Sequence, residues 1–208
     1  MPIGTALTAF RAEIATHQGY ITNAFVQDAA GNYLMGAQQQ SFVVDSAFLR
    51  MFIAWETFLE EVFVRYLLGN PSVAGTLAVL FANPGTEERA REMLVGTQKY
   101  VDWANPEIVR KLSRIYFNNG EPIGPAISAI QSDLFDLKTV RNAAAHLTTT
   151  TGRLLDALAT RRLGHNCINI SVSGFVLAPD PTPGAAGSIL DSYIVLLDAT
   201  AHNIANWV

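Results

Sequence analysis

The sequence predicts a mainly all-α protein, an antiparallel helical bundle with a small β element near residues 166–176. Apolar residues recur at three- and four-residue spacing through most of the chain, which is the period of an amphipathic helix. Turn-forming clusters of Gly, Asn and Pro separate these stretches. Because no repeat and no second complete domain is visible, we expect one helical domain over residues 1–208, long enough to bury its own core.

The N-terminal third carries the clearest helical patterns. A first helix is predicted over residues 4–28, and a second, longer one over residues 38–68, where aromatic and aliphatic residues follow the i, i+3, i+4, i+7 rule. Gly69-Asn70-Pro71 ends the second helix. Residues 72–81 are predicted to form a further short helix.

The middle of the chain is divided into shorter helices. Thr86 precedes two glutamates and resembles an N-cap. Asn105-Pro106-Glu107 begins a helix with Pro at its first position, which we expect to run to about residue 117. Apolar residues then line one face of a predicted helix over residues 126–140.

In the C-terminal part of the chain, the spacing of apolar residues changes once from the helical period to the alternation of a strand. Helices are predicted over residues 154–163 and 188–207. Between them, Ile168, Ile170 and Val172 alternate with polar residues, which is the pattern of a half-buried strand over residues 166–176.

Composition bounds the class of protein. Half of the 208 residues are hydrophobic and only 15% are charged, which favours apolar surface hidden against a second copy, so we expect a homodimer. The net charge of −4 excludes a generally basic coat for nucleic acid. No signal peptide and no membrane-spanning run of ~20 apolar residues is visible, and Cys167 has no partner for a disulfide. We therefore expect a cytoplasmic protein with no membrane partner.

Basic residues are concentrated between residues 138 and 165. This stretch contains five Lys or Arg and only one acidic residue, Asp156. Arg161 and Arg162, here called the arginine pair, are candidates for binding RNA phosphates. The alternative is a solvated helix face, on which such clusters are common.

The most informative stretch is Arg141-Asn142-Ala143-Ala144-Ala145-His146, here called the Arg141–His146 motif. An Arg binds phosphate through a fixed fork of donors, and a His moves a proton near neutral pH, so this pair is able to cleave a phosphodiester without metal. On one continuous helix the two side chains would lie about 140° apart around the axis and ~7.5 Å apart along it. A functional site therefore requires that the helix end near Ala145 or that a second subunit complete the pair.

This motif, together with Ala54-Trp55-Glu56-Thr57-Phe58-Leu59-Glu60 upstream, resembles the HEPN superfamily and most of all its RiboL-PSP-type proteins. The likeness covers about residues 40–165, so residues 166–208 would be an appendage. It implies a metal-independent endoribonuclease of a bacterial toxin–antitoxin or phage-defence system, leaving 2′,3′-cyclic phosphate and 5′-hydroxyl ends. It also implies a homodimer whose two motifs face one cleft, with RNA as substrate and a possible antitoxin protein as partner.

The resemblance gives each residue of the motif a role. His146 would act as general base or acid, Arg141 would stabilise charge on the phosphate, and Asn142 would orient the His or bind a phosphate oxygen. Glu56 would hold Arg141 in place. We expect no metal and no other cofactor, because the remaining histidines lack ligand spacing.

Two alternatives stay open. A HEPN-like module without nuclease activity would serve as an RNA- or protein-binding scaffold. In a purely structural protein the motif would be a helix end, where cations are favoured by ~0.3–1 kcal/mol.

Overall fold

The computed structural model describes residues 2–146 and 148–208 and is mostly α-helical, which confirms the predicted fold class. Within those residues the chain forms α1 (Ile3–Ala24), α2 (Ala37–Leu67), α3 (Glu87–Val95), α4 (Pro106–Tyr116), α5 (Ile123–Ala129), α6 (Gln131–Ala145), α7 (Thr149–Leu163), α8 (Val172–Val176) and α9 (Ile189–Ala205). A single 3-10 turn covers Asn118–Gly120. None of the described helices is long and apolar enough to cross a membrane.

The chain divides into two compact units. The first unit comprises Met1–Arg11, Trp55–Phe135 and Leu196–Val208, and the second comprises Ala12–Ala54 and Asp136–Val195. The expected single domain over residues 1–208 stays a prediction.

The first unit has an aromatic core built on α2. Phe63 contacts Trp103 and Phe117, with ring centroids 5.6 and 5.0 Å away. The buried Tyr66 hydroxyl donates a hydrogen bond of 2.6 Å to the Ile204 carbonyl, and burial raises the pKa of this phenol. Burying such aromatic groups supplies most of the packing energy of a unit of this size.

Ion pairs fasten α3 to α2 in the same unit. Arg65 contacts Glu87 at 2.7 Å and Glu61 at 3.2 Å, and Arg91 bonds Glu60, Glu61 and Glu87. Because the guanidinium groups share their carboxylates, the network holds the two helices together more firmly than isolated surface pairs would.

The buried residues of the second unit include side chains from α6, α7 and α8. Val140, Ala143, Ala159, Phe175 and Val176 are all almost wholly buried. Ala143 belongs to the Arg141–His146 motif, so the middle of the motif is part of this core.

Two predicted helix starts are confirmed by the hydrogen bonds of their N-cap side chains. The Thr86 side chain accepts from the Arg89 N–H at the start of α3, and Asn105 accepts from the Glu107 N–H at the start of α4. Pro106 occupies the first turn of α4, as expected. The predicted helix over residues 126–140 is divided, since Ile130 has a non-helical conformation between α5 and α6.

The helix predicted for residues 72–81 is wrong, because this segment is not helical. The Phe81 N–H donates to the Tyr116 carbonyl and the Asn118 N–H donates to the Val79 carbonyl, both at 2.9 Å. An antiparallel bridge thereby joins Leu80 to Phe117.

The β element predicted for residues 166–176 is also wrong. The N–H groups of Asn169 and Ile170 donate to the Asp156 carboxylate at 3.0 and 2.9 Å rather than to a neighbouring strand. Ser171 then caps the short helix α8, accepting from the Gly174 N–H. Alternation of apolar and polar residues therefore coincided here with a turn and a helix start.

Candidate functional site

The last turn of α6 carries the Arg141–His146 motif. Arg141 and Asn142 lie within the helix, which ends at Ala145, so His146 is the first residue beyond it. The His146 N–H still donates to the Asn142 carbonyl at 2.9 Å. The backbone at residue 146 therefore continues the helical hydrogen-bonding pattern, although the helix stops there.

The carbonyl of His146 is held from the other side by the start of α7. It accepts hydrogen bonds from the Thr148 N–H at 3.0 Å and from the Thr151 hydroxyl at 2.5 Å. Thr148 and Thr151 form a capping box that begins α7. Both backbone groups of His146 are thus fixed while the residue itself is exposed, an arrangement that presents an imidazole to solvent from a defined backbone position.

Arg141 and Asn142 are half-buried, in contrast to the exposed His146. Arg141 also makes an interaction within the protein. Because Arg141 and His146 are five positions apart and helical hydrogen bonding continues to residue 146, the two Cα–Cβ directions differ by about 140°. A phosphate bound by Arg141 of one chain would therefore be poorly placed for His146 of that chain.

The arginine pair is bound by carboxylates. The Arg161 guanidinium lies 2.5 Å from the Asp136 carboxylate, but 58% of the Arg161 side chain remains exposed. Arg161 can therefore meet a ligand at the surface while keeping its ion pair.

Arg162 is less exposed than Arg161 and makes two interactions within the protein. It lies 3.5 Å from Asp180, whose side chain is only 1% exposed, and its guanidinium lies 5.7 Å from the centre of the Tyr193 ring. Burial alone would raise the pKa of Asp180, but hydrogen bonds from Ser192 and Thr182 and the charge of Arg162 outweigh it and hold this pKa below its usual range. An RNA phosphate would have to compete with this carboxylate for Arg162.

Glu56 belongs to the first unit and is half-buried on α2, whereas Arg141 belongs to the second unit. Both residues make interactions within the protein. The expected pairing of Glu56 with Arg141 stays a prediction.

The second unit also contains an apolar surface groove of about 350 Å³ that sequence reasoning missed. Its lining includes Tyr20, Met35 and Phe42, with Arg50 and His17 among its polar members. The residues come from two helices and the loop between them, so no local pattern in the sequence marks the groove.

No group of three or more His, Cys, Asp or Glu in the described part of the chain is placed to hold a metal ion. Comparisons with protein-family models, with curated proteins and with solved structures found no match to this chain.

Proposed function

We propose that this protein is a metal-independent endoribonuclease of the HEPN type, which cleaves RNA to leave 2′,3′-cyclic phosphate and 5′-hydroxyl ends. The observation that carries the proposal is the placement of His146, exposed on a backbone fixed at both its N–H and its carbonyl, one helical turn beyond the half-buried Arg141 and Asn142. Metal-free phosphodiester cleavage needs at least an imidazole that moves a proton and a cation that binds the phosphate, and an exposed His146 on a fixed backbone meets the first requirement.

The chemistry is an attack of the ribose 2′-oxygen on the neighbouring phosphorus. His146 takes the proton from the 2′-hydroxyl, or an equivalent His146 gives one to the departing 5′-oxygen. Arg141 binds the non-bridging phosphate oxygens, on which negative charge increases in the transition state. Asn142 orients the imidazole or donates a hydrogen bond to the same phosphate.

Two copies of the chain form the active site in this proposal. The angular separation of about 140° between Arg141 and His146 favours a site in which each phosphate meets residues from both motifs. The half-hydrophobic composition is consistent with such a homodimer.

A cytoplasmic bacterial toxin–antitoxin or phage-defence system is the proposed setting, because an RNA-cleaving enzyme inside its own cell needs control. Its partners would be an RNA substrate and an antitoxin protein that blocks the exposed His146.

A non-catalytic RNA- or protein-binding scaffold is the second candidate. Engagement of Arg162 by Asp180 favours it, since one of the two predicted RNA contacts is already used within the fold. The apolar groove of the second unit offers such a scaffold a surface for a protein partner.

The proposal is tested with purified protein and total RNA in the presence of EDTA. We expect the wild type to cleave RNA under these conditions and the double variant Arg141→Ala/His146→Ala to leave it intact. Cleavage that EDTA abolishes and a divalent metal restores would contradict the mechanism. Equal cleavage by both proteins would assign the activity to another site or to a contaminant, and RNA binding without cleavage by the wild type would favour the scaffold.

A further inference from the structure

The apolar groove of the second unit adjoins another cavity on the same surface. The groove has a volume of about 350 Å³ and the neighbouring cavity one of about 390 Å³. Met35, Phe42 and Val43 line both, so the two cavities share a wall. Volumes of this size are typical of sites that hold a small molecule, which range over about 300–1,000 Å³.

One side of α2 forms the long wall of the two cavities. Gln39, Val43, Ser46 and Arg50 line it at spacings of four, three and four residues, which places them on one face of the helix. Gln39 belongs to the neighbouring cavity and Arg50 to the groove. A helix rises 1.5 Å per residue, so the wall between these two residues is ~17 Å long.

The surface along this wall is apolar and open to solvent. Phe42 and Tyr20, which line the groove, are 72% and 54% exposed. Exposed aromatic side chains in a concave surface are typical of places where a ligand or partner covers them.

The groove has a positive charge at one end. Arg50 is exposed, and neither its guanidinium nor the Ser46 hydroxyl one turn before it has a hydrogen bond or ion pair with any described residue. The other titratable residue of the lining, His17, lies 3.4 Å from the Glu13 carboxylate, which balances the charge of a protonated imidazole. Gln39 at the far end is uncharged, so the net charge of the lining belongs to Arg50.

We propose that the groove binds a fatty acid, with its carboxylate on Arg50 and Ser46 and its hydrocarbon chain along Val43, Phe42 and Met35. A guanidinium binds a carboxylate through two parallel N–H donors, and the serine hydroxyl supplies a third. One acyl chain spans half of the ~30 Å hydrocarbon core of a bilayer, or ~15 Å, which matches the length of the wall.

Charge and size distinguish this ligand from a peptide. A helical peptide is about 10 Å wide with its side chains and binds through anchors spread over several turns. The groove instead offers one cation at one end of a small apolar surface, which suits a molecule with one anion at one end. A bound fatty acid occupies the surface that the scaffold alternative assigns to a protein partner, and its binding does not depend on the ribonuclease activity proposed above.

Calorimetric titration of the full chain with sodium tetradecanoate, below its micelle concentration, tests the proposal. We expect one site per chain. Arg50→Gln should raise the dissociation constant by roughly tenfold or more, because the carboxylate loses its charged partner, whereas Arg153→Gln, at an exposed arginine of the same unit, should not. Phe42→Glu should weaken binding similarly, and Val195→Glu, at a residue 68% exposed on α9, is its matched control.

Four results would overturn the proposal: no binding to the wild type, unchanged affinity in Arg50→Gln, equal loss in a variant and its control, or equal affinity for uncharged tetradecanol. Binding of an acidic amphipathic peptide in place of tetradecanoate would assign the groove to a protein partner and overturn it as well. Circular dichroism of each variant shows whether its helices are retained.

A gain of affinity tests the direction of the chain along α2. Gln39→Lys places a second cation at the far end of the wall, so this variant should bind tetradecanedioate, which has a carboxylate at each end, more tightly than the wild type does. Its affinity for tetradecanoate should not rise. Equal affinity of both proteins for the dicarboxylate would contradict the placement of the chain between Arg50 and Gln39.

Discussion

The second unit carries two groups of basic residues, the Arg141–His146 motif and the arginine pair, and they differ in what their side chains are free to do. In the motif, the backbone of His146 is bound at both its N–H and its carbonyl while the residue is exposed. In the arginine pair, the backbone lies in the last turn of α7 and the side chains themselves are bound, Arg161 by Asp136 and Arg162 by Asp180. A fixed backbone with an exposed functional group suits chemistry, whereas a bound functional group suits stability.

The largest expected effect that separates the two groups is the loss of His146. His146→Ala should lower RNA cleavage by roughly 10²–10⁴-fold, the usual contribution of a general acid or base. The melting temperature should hardly change, since residue 146 is exposed and its backbone bonds remain. His165→Ala, an exposed histidine of the same unit, is the control. A His146→Ala protein as active as the His165→Ala protein would remove His146 from the reaction.

The loss of Arg141 should have the second-largest effect on RNA cleavage. Arg141→Ala should reduce cleavage by about 10²–10³-fold, because the charge that increases on the phosphate loses its main donor. Arg141→Lys keeps the charge but not the planar fork, so it should recover only part of the activity. Arg89→Ala, an exposed arginine of the first unit, controls for the general loss of a positive charge. Full activity of Arg141→Lys would reduce the role of Arg141 to a point charge.

Arg162 should matter for stability rather than for cleavage. Arg162→Ala leaves the buried Asp180 carboxylate without its cation, at a cost of about 1–3 kcal/mol in the free energy of unfolding near neutral pH. The pKa of Asp180 is lowered in the folded protein, so its ionised form stabilises the fold above an unfolded pKa of about 4, and this contribution is lost as the pH falls through the folded pKa.

The difference in stability between wild type and Arg162→Ala should therefore shrink below about pH 4, as thermal melts across pH would show. Arg153→Ala, an exposed arginine on the same helix, should have no such pH dependence. A difference that grows as the pH falls would mean that Asp180 is not the partner that counts.

The smallest effect is expected for Arg161. Its ion pair is more than half exposed on the arginine side, so Arg161→Ala should cost less than about 1 kcal/mol in stability. If Arg161 also contacts RNA, the variant should bind RNA a few-fold more weakly at low salt, with a shallower dependence of affinity on salt. Filter binding at several salt concentrations measures both. An unchanged salt dependence would assign Arg161 to the fold alone.

The sequence predicted the parts of this protein that depend on neighbours in the chain. The long helix α2 and the caps at Thr86 and Asn105 follow from local patterns. Each is decided within a few residues by apolar spacing, a capping side chain or a proline.

Prediction from the sequence failed where a group distant in the chain decides the local conformation. Residues 79–81 are extended because the segment around Phe117 binds their backbone, and the residues just before α8 turn because the Asp156 carboxylate takes the N–H groups of Asn169 and Ile170. The carboxylate partners of the arginine pair escaped prediction for the same reason, since Asp180 follows Arg162 only after a turn, a short helix and a loop. Neither apolar period nor residue type marks such long-range bonds.

The most direct test of the central claim, metal-free cleavage through His146, uses a short RNA of defined sequence and a matched oligonucleotide with a single 2′-deoxy residue at the cleaved position. In EDTA, we expect the wild type to cleave the all-ribose strand and leave a 2′,3′-cyclic phosphate, detected by mass spectrometry, and to leave the 2′-deoxy position intact. The His146→Ala variant should cleave neither strand. Cleavage at the 2′-deoxy position, or products ending in a 3′-hydroxyl, would contradict attack by the 2′-oxygen and the role assigned to His146.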